Sequence, residues 1–293
     1  MYYHRADSNE VVESRGLGRV YKNWGETRPV SVVKILAAAA LWSTIGVAAT
    51  YGRDVLWLAF VRSLVAAAFS LAARPSKRGL LPGLLLGGLF SAYPLAALYA
   101  GVGTAAYLLY TAPLWTATAL ALTGEKPTRR DVAAVVLVLA AVFLMASASL
   151  SGALSPVGLA AGLASGAFYG LYIAVARRLS AAGEEKAASL GAMAYTPLVT
   201  APLLLLRPSP PSPEAVAAGV YLGVFGTVVP YRLFASAVKT VGGTKASVVA
   251  TVEPVLAAVW GYLLFRQAPD AATLAAYALI TAAAVIASLG GRR

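Results

Sequence analysis

Ten apolar stretches, each close to the length of a membrane-spanning helix, follow one another along this chain. They lie at roughly 35–51, 55–73, 80–100, 104–122, 132–150, 156–176, 187–206, 215–237, 246–265 and 271–289, and we call them the first to the tenth span. A helix needs about 20 apolar residues to cross the ~30 Å hydrocarbon core of a bilayer. The stretches lack the alternation of a β-strand, so the sequence predicts an all-α integral membrane protein with ten transmembrane helices.

Composition supports a lipid environment. Only 12% of the residues are charged and 59% are hydrophobic, whereas soluble proteins carry about 25% charged residues. In lipid every backbone polar group must be satisfied internally, which favours helices. The chain has no cysteine and a single histidine, so no metal site and no cofactor are expected.

Two segments of the chain are near copies of each other. They are GVGTAAYLLYTAPLWTATALALTGEKP at 101–127 and GGTKASVVATVEPVLAAVWGYLLFRQ at 242–267. Their offset is 140 at the Gly-Thr pairs (243 − 103), 141 at the mid-helix prolines (254 − 113) and 142 at the closing prolines (269 − 127). The pattern indicates an internal duplication with two single-residue gaps between the copies.

The duplication divides the spans into two sets of five. We expect a polar N-terminal tail at 1–34, a first five-helix repeat at 35–150 and a second repeat with a short basic C-terminus at 151–293. Because five is odd, the second repeat enters the membrane from the opposite side, which is the inverted-repeat architecture of many secondary transporters.

Basic residues predict the orientation of the chain. With a cytoplasmic N-terminus, nineteen of the 24 lysines and arginines fall in cytoplasmic segments, and only Arg53, Arg207 and Arg266 fall outside. This is a strong positive-inside bias, and it predicts a multi-pass protein of the cell membrane with both termini in the cytoplasm. The net charge of +12 is spread over many segments, so no nucleic-acid partner is expected.

Several motifs resemble one known family. They are Val252-Glu253-Pro254-Val255 followed by LAAVWGYLLF, Ala112-Pro113-Leu114-Trp115 followed by TATALALTGEKPT, LWSTIGVAA at 41–49 and FYGLYI at 168–173. In this order they resemble the EamA-type permeases of the drug/metabolite transporter (DMT) superfamily, which are built from two five-helix EamA repeats. The resemblance implies transport of small metabolites, amino acids or amphiphiles. The chain departs from the family pattern at Gln267, where a glutamate is usual, and at Arg232, where the residue is generally apolar.

Three charged residues fall within predicted spans. Arg62 lies about 12 Å into the membrane, and Arg232 and Glu253 lie at similar depths on either side of the turn near residue 241. Charges at such depth are costly and are functional candidates by default. The structural alternative is an Arg232–Glu253 pair that joins two helices, with Arg62 reaching toward the headgroups.

Aromatic and hydroxyl residues recur at helical spacing on several spans, and polar faces of membrane helices point inward. The structural alternative is helix–helix hydrogen bonding and an interfacial aromatic belt. The predicted substrate-binding residues are Trp42, Arg62, Tyr93, Tyr99, Tyr107, Trp115, Tyr169, Tyr172, Tyr195, Arg232 and Glu253.

The sequence lacks the common catalytic motifs. It contains no G-x-x-x-x-G-K-[ST], H-E-x-x-H or G-x-S-x-G, so it is not expected to be an enzyme. We interpret it as a secondary transporter that moves a small-molecule solute through the lipid bilayer by alternating access, as a monomer or homodimer. Proton coupling through Glu253 is a further hypothesis. The alternatives are a non-transporting membrane scaffold or lipid scramblase, and an intramembrane enzyme.

Overall fold

A computed structural model describes residues 28–72, 75–149, 155–206, 209–266 and 268–289. Within these ranges every regular element is helical. Nine helical stretches there are long and apolar enough to cross a membrane. The fifth span is a further long helix, which opens on Arg129, Arg130 and Asp131 and is uncharged from there to Ser149. The predicted all-α membrane fold is therefore confirmed, with its ten spans in the expected order.

The helices of the first repeat form five spans. The first consists of Arg28–Trp42 and Ile45–Gly52, the second of Val55–Ala72, the third of Leu80–Ala100 after a short 3₁₀ turn at Lys77–Gly79, the fourth of Val102–Leu109 and Ala112–Leu122, and the fifth of Arg129–Ser149.

The second repeat also forms five spans. The sixth consists of Pro156–Ala181, the seventh of a π-segment at Ala187–Gly191 followed by Thr196–Thr200 and a 3₁₀ segment at Ala201–Leu206, the eighth of Pro213–Gly223, a π-segment at Val224–Val228 and Val229–Val241, the ninth of Gly243–Ala250 and Glu253–Phe265, and the tenth of Ala271–Leu289.

The first span begins earlier than the sequence predicted. Its helix starts at Arg28 rather than near residue 35, because Val30, Val32 and Val33 extend the apolar stretch toward the N-terminus. Residues 28–34 therefore belong to the span and not to the polar tail, and Lys34 donates to the Ser236 hydroxyl from within it (3.4 Å). The rest of the predicted tail, residues 1–27, lies outside the described residues.

The packing repeats the duplication seen in the sequence. The third span packs on the sixth, and the eighth packs on the first. The second packs on the eighth, and the seventh packs on the third, while the fifth and tenth pack on each other. If five is added to both span numbers of one contact, with eleven counted as one, the result is another contact in this set. The contact of the third span with the sixth, for example, becomes that of the eighth span with the first. The two repeats are therefore equivalent in packing as well as in sequence.

Equivalent turns and breaks fix the register between the repeats. Gly101 and Gly242 both have positive φ values, 87° and 93°, and each starts a short helix that ends eight residues later. The breaks at 110–111 and 251–252 follow. The turns (242 − 101) and the breaks (251 − 110) are both 141 residues apart. The gap predicted from the Gly-Thr pairs at offset 140 is therefore wrong, because the turn needs a glycine that tolerates positive φ and so sets the alignment.

Glycines bring the broken fourth span against the sixth. Four glycines of the sixth span recur at every fourth position: Gly162, Gly166 and Gly170 face the fourth span, Gly158 faces Ala100 at the end of the third, and a Cβ at any of them would overlap the chain opposite. At Gly166 it would lie 2.3 Å from the Thr111 hydroxyl, at the break itself. Such small residues permit close contact between membrane helices, and here they hold the break against the second repeat.

Candidate functional site

Aromatic rings from both repeats meet at the centre of the helix bundle. The Trp42 ring lies 5.1 Å from that of Tyr231 and 6.0 Å from that of Tyr169, measured between centroids. Tyr231 also contacts the ring of Tyr172 at 5.3 Å. We call this group the central cluster; its members are Trp42, Phe90, Tyr169, Tyr172, Tyr231 and Phe234. All six are buried, so the cluster joins the first, third, sixth and eighth spans.

Arg62 enters this cluster from the second span. It is only 8% exposed, and its Cζ lies 4.1 Å from the centroid of the Phe90 ring. Its Nε donates to the Thr227 hydroxyl (2.5 Å) and its Nη2 to the Gly226 carbonyl (2.8 Å). The buried guanidinium is therefore held by the π-segment of the eighth span, and it ties the first repeat to the second.

Pro230 explains why Arg62 donates to the Gly226 carbonyl. Proline has no backbone N–H and removes the hydrogen bond to the carbonyl four residues before it. For Pro230 that carbonyl belongs to Gly226, to which Arg62 donates. An unsatisfied carbonyl within a membrane is costly. Arg62 therefore supplies the Gly226 carbonyl with the hydrogen-bond donor that the proline lacks.

The Arg232–Glu253 pair, which the sequence analysis gave as the structural alternative, is not formed. Arg232 is exposed, whereas Arg62 is buried and lies within Coulombic range of Glu253. No ion pair joins Arg232 to Glu253 among the residues that the structure covers. The inward face of the eighth span is occupied by Tyr231, and the next residue along a helix points about 100° away.

Glu253 is the first residue of the second helix in the broken ninth span. It is half-buried, and an acid at this position is favoured by the dipole of the helix that it begins. It lies within Coulombic range of Arg62, Tyr93 and Tyr110, all from the first repeat. Since Tyr110 forms the equivalent break of the fourth span, the two breaks face each other across the interface between the repeats.

The remaining predicted site residues occupy different places. Tyr107 is buried in the core and Tyr93 is half-buried beside Glu253. The Tyr195 hydroxyl donates to the Ser76 carbonyl (3.3 Å), away from the cluster. Tyr99 and Trp115 are 47% and 37% exposed. The structure thus brings together Trp42, Arg62, Tyr93, Tyr169, Tyr172 and Glu253, and places Tyr99, Trp115, Tyr195 and Arg232 elsewhere.

Sequence reasoning missed Phe90, Tyr110, Thr227, Tyr231 and Phe234. A signal existed for three of them, because Thr227, Tyr231 and Phe234 recur at i, i+4 and i+7, which places them on one helical face. The charge of Arg232 suggested instead that the face of the eighth span bearing Arg232 points inward, which is wrong.

A cavity of about 520 Å³ opens beside this site, between the first, eighth and ninth spans. Its wall includes Tyr51, Glu214, Tyr221 and Trp260. Two hydrogen bonds link the non-helical residues of the first span to this wall. The Trp260 Nε1 donates to the Ser43 hydroxyl (3.0 Å), and the Tyr221 hydroxyl donates to that of Thr44 (3.1 Å). Trp42 of the central cluster immediately precedes these two residues, so both hydrogen bonds lie next to the cluster along the chain.

Ion pairs close the other end of the bundle, which we call the basic end. Arg177 pairs with Glu125 across the repeats (3.1 Å) and donates to the Lys239 carbonyl (2.8 Å). Lys239 pairs with Glu185, and the hydrogen bond from this lysine lowers the pKa of the Glu185 carboxyl. A third pair, Arg78–Glu184, again crosses the repeats. Ion pairs therefore join the helices at the basic end, whereas hydrogen bonds of hydroxyl and indole groups join the two repeats beside the cavity.

No group of three or more histidine, aspartate or glutamate side chains that could hold a metal ion occurs in the described part of the chain.

Comparisons with known proteins bear on the whole fold. The model of the EamA-like transporter family matches twice, over residues 30–147 and 156–289. A search of curated proteins finds no match. A solved crystal structure, described only as that of a protein, is similar over 90% of this chain and 98% of its own, with 22% identity and a TM-score of 0.74; at that identity the likeness shows the fold alone. Since the family model covers most of both repeats, the chain belongs to the EamA-like transporter family, whose members are membrane transporters.

Proposed function

We propose that this protein is a secondary transporter that carries a small organic solute across the cell membrane by alternating access between its inverted repeats. Family membership supports the coarser function, a drug/metabolite-type transporter in a lipid bilayer. The observation that carries the finer proposal is the pair of facing helix breaks, with Glu253 at one and Tyr110 at the other. Broken helices at the interface between repeats are where transporters of this architecture bind solutes.

The geometry supports movement about this interface. The Trp260–Ser43 and Tyr221–Thr44 hydrogen bonds join the repeats on the side of the central cluster that faces the cavity. Ion pairs join the repeats on the side that faces the basic end. If the repeats rock, one of these two sets of contacts would break while the other is kept. The basic end would face the cytoplasm under the positive-inside rule, with both termini on that side.

Glu253 is the residue we propose for proton coupling. A half-buried carboxylate changes its proton affinity when its access to water and to a neighbouring cation changes. Both would change for Glu253 as the repeats rock, because Arg62 belongs to the other repeat. A proton taken up on one side would then be released on the other.

Reconstituted protein tests both proposals. Proteoliposomes are offered radiolabelled amino acids, nucleosides and amphiphilic cations, each with and without a pH gradient. Saturable flux of at least one solute class is expected, with uphill movement driven by the gradient. Glu253→Gln should abolish the uphill movement and retain downhill exchange, whereas Asp270→Asn, at an exposed carboxylate outside the cavity, should alter neither.

The outcomes separate the two claims. An absence of flux for every class would overturn the transport function and would favour a scaffold. Flux that ignores the pH gradient in the wild type would overturn only the coupling and would make the protein a facilitator.

A further inference from the structure

Two hydrogen-bond donors in the central cluster have no acceptor. The Trp42 indole N–H and the Tyr169 hydroxyl are both fully enclosed and neither has a partner. The two residues are 3% and 9% exposed. Buried polar groups are nearly always hydrogen-bonded, and an exception in a native structure calls for an explanation.

Several indole N–H groups and a tyrosine hydroxyl elsewhere in the described residues do have acceptors. The Tyr172 hydroxyl, one helical turn from Tyr169, donates to the Ala188 carbonyl (2.9 Å). The indoles of Trp57, Trp115 and Trp260 each donate to an oxygen. Trp42 is thus the one described tryptophan whose indole lacks an acceptor, and Trp42 and Tyr169 lie together in the central cluster, whereas the other buried hydroxyls without a partner, those of Ser31, Ser70 and Ser180, lie outside it.

The two donors belong to one place and to both repeats. Trp42 is on the first span and Tyr169 on the sixth, and their rings meet edge to face at 6.0 Å. An indole N–H can only donate, so whatever completes this site must offer an acceptor. Arg62 lies within Coulombic range of Tyr169, which favours an acceptor that carries negative charge.

The groups around the two donors also indicate which kind of anion the site would bind. A carboxylate accepts through two oxygens and can therefore satisfy both donors at once. A dianion such as a phosphate is disfavoured, because Glu253 also lies within Coulombic range of Tyr169 and the surrounding rings are apolar. The aromatic walls suit a hydrocarbon body attached to the acid.

Resting on the transport function proposed above, we propose that Trp42 and Tyr169 form a carboxylate-binding subsite, which selects small solutes that carry one carboxylate on an apolar body. The carboxylate accepts from the Trp42 indole and the Tyr169 hydroxyl, one from each repeat. Binding therefore depends on the relative position of the two repeats, as a solute that is handed across the interface requires.

Ligand-induced thermal stabilisation of the purified full-length protein tests the subsite without measuring flux. Three probes share one body and differ in the end group: 3-phenylpropionate, 3-phenylpropionamide and 3-phenylpropylamine. The carboxylate should stabilise the protein saturably, the amide more weakly, and the amine, which offers donors in place of the acceptor, not at all. Tyr169→Phe and Trp42→Phe should each raise the Kd for the carboxylate about tenfold or more, which is the effect of losing a hydrogen bond to a charged group.

Tyr195→Phe is the matched control, because it makes the same change at a hydroxyl that already has an acceptor, the Ser76 carbonyl, away from the cluster. It should leave the Kd unchanged, and Tyr169→Phe should not lower the stability of the ligand-free protein. If Trp42→Phe does not fold, the two tyrosine variants still decide the matter.

Equal stabilisation by the amine, an equal effect of the two tyrosine variants on the Kd, or no stabilisation by the carboxylate would overturn the subsite and leave the donors to a bound water only. Such a failure would not touch the transport proposal if another solute class is carried in proteoliposomes. Binding without flux of any solute would overturn transport and leave the subsite standing.

Discussion

Arg62→Met should destabilise the protein, whereas Arg232→Met should not. Both arginines lie within membrane-spanning helices and the substitution is identical. Arg62 makes two buried hydrogen bonds and stacks on Phe90, while Arg232 is exposed. The comparison therefore isolates the environment of the guanidinium from the chemistry of the substitution.

The expected cost follows from the contacts. Hydrogen bonds from a charged donor contribute about 1.5–3 kcal/mol each, and a desolvated cation–π contact contributes about 2 kcal/mol. Removing the guanidinium also removes its desolvation penalty, which is several kcal/mol. Leaving the Gly226 carbonyl unsatisfied adds about 1–3 kcal/mol. We expect a net loss of about 3 kcal/mol for Arg62→Met and a change within about 0.5 kcal/mol for Arg232→Met.

Pro230→Ala provides a second, sharper comparison. The alanine returns a backbone N–H to the eighth span, so the Gly226 carbonyl no longer depends on Arg62. In the Pro230→Ala background, Arg62→Met should therefore cost about 1 kcal/mol less than in the wild type, which is the size of one hydrogen bond.

Unfolding titrations in mixed micelles, in which the fraction of a denaturing detergent is raised, give the free energies of the four variants. The reasoning would be refuted if Arg62→Met and Arg232→Met cost the same, or if the Arg62 and Pro230 changes simply added. Either result would mean that the guanidinium does not support the broken eighth span.

Three further predictions concern packing, charge and orientation. Gly166→Ala should destabilise by about 1–3 kcal/mol through overpacking, since its Cβ would meet the fourth span at 2.3 Å, whereas Gly103→Ala meets nothing within 4 Å and should be neutral or slightly stabilising in the same titration. Because the folded pKa of Glu185 is lowered, its contribution is present above the unfolded value and is lost as pH falls below about 5 through the folded pKa; Glu185→Gln should remove this part of the pH dependence, by less than about 1 kcal/mol because the pair is partly exposed. Cysteines introduced into this Cys-free chain should react with impermeant maleimide from outside cells at Ser209 and not at Ser76, both exposed, and the reverse pattern would invert the proposed orientation.

Length and periodicity were sufficient to predict the spans and their duplication. These follow from the thickness of a bilayer and from a repeated sequence, so they need no knowledge of tertiary contacts. Depth within the membrane could be predicted for the same reason, because each helical residue rises by a fixed 1.5 Å.

The face on which a charge lies could not be predicted in the same way. The π-segment at Val224–Val228 adds a residue to one turn of the eighth span and rotates the helix before it relative to the helix after it. Depth alone suggested that Arg232 would meet Glu253, but the rotation depends on Pro230 and on the contact with Arg62. The two donors without acceptors, on Trp42 and Tyr169, could not be predicted either. The sequence shows which side chains can form hydrogen bonds but not which of them lack a partner in the fold.

If the repeats rock as proposed, the different contacts at the basic end and beside the cavity would make ionic strength a control on the resting conformation. Salt screens the ion pairs of the basic end, two of which join the repeats, but it hardly affects the hydrogen bonds at Ser43 and Thr44. Exposed pairs contribute at most about 1 kcal/mol each, and two such pairs would change a two-state population ratio by about thirtyfold. A duplicated protein with identical halves would rest equally in its two conformations; if this protein rocks as proposed, the ion pairs of the basic end would favour the conformation in which that end is closed, and the salt concentration would adjust the preference.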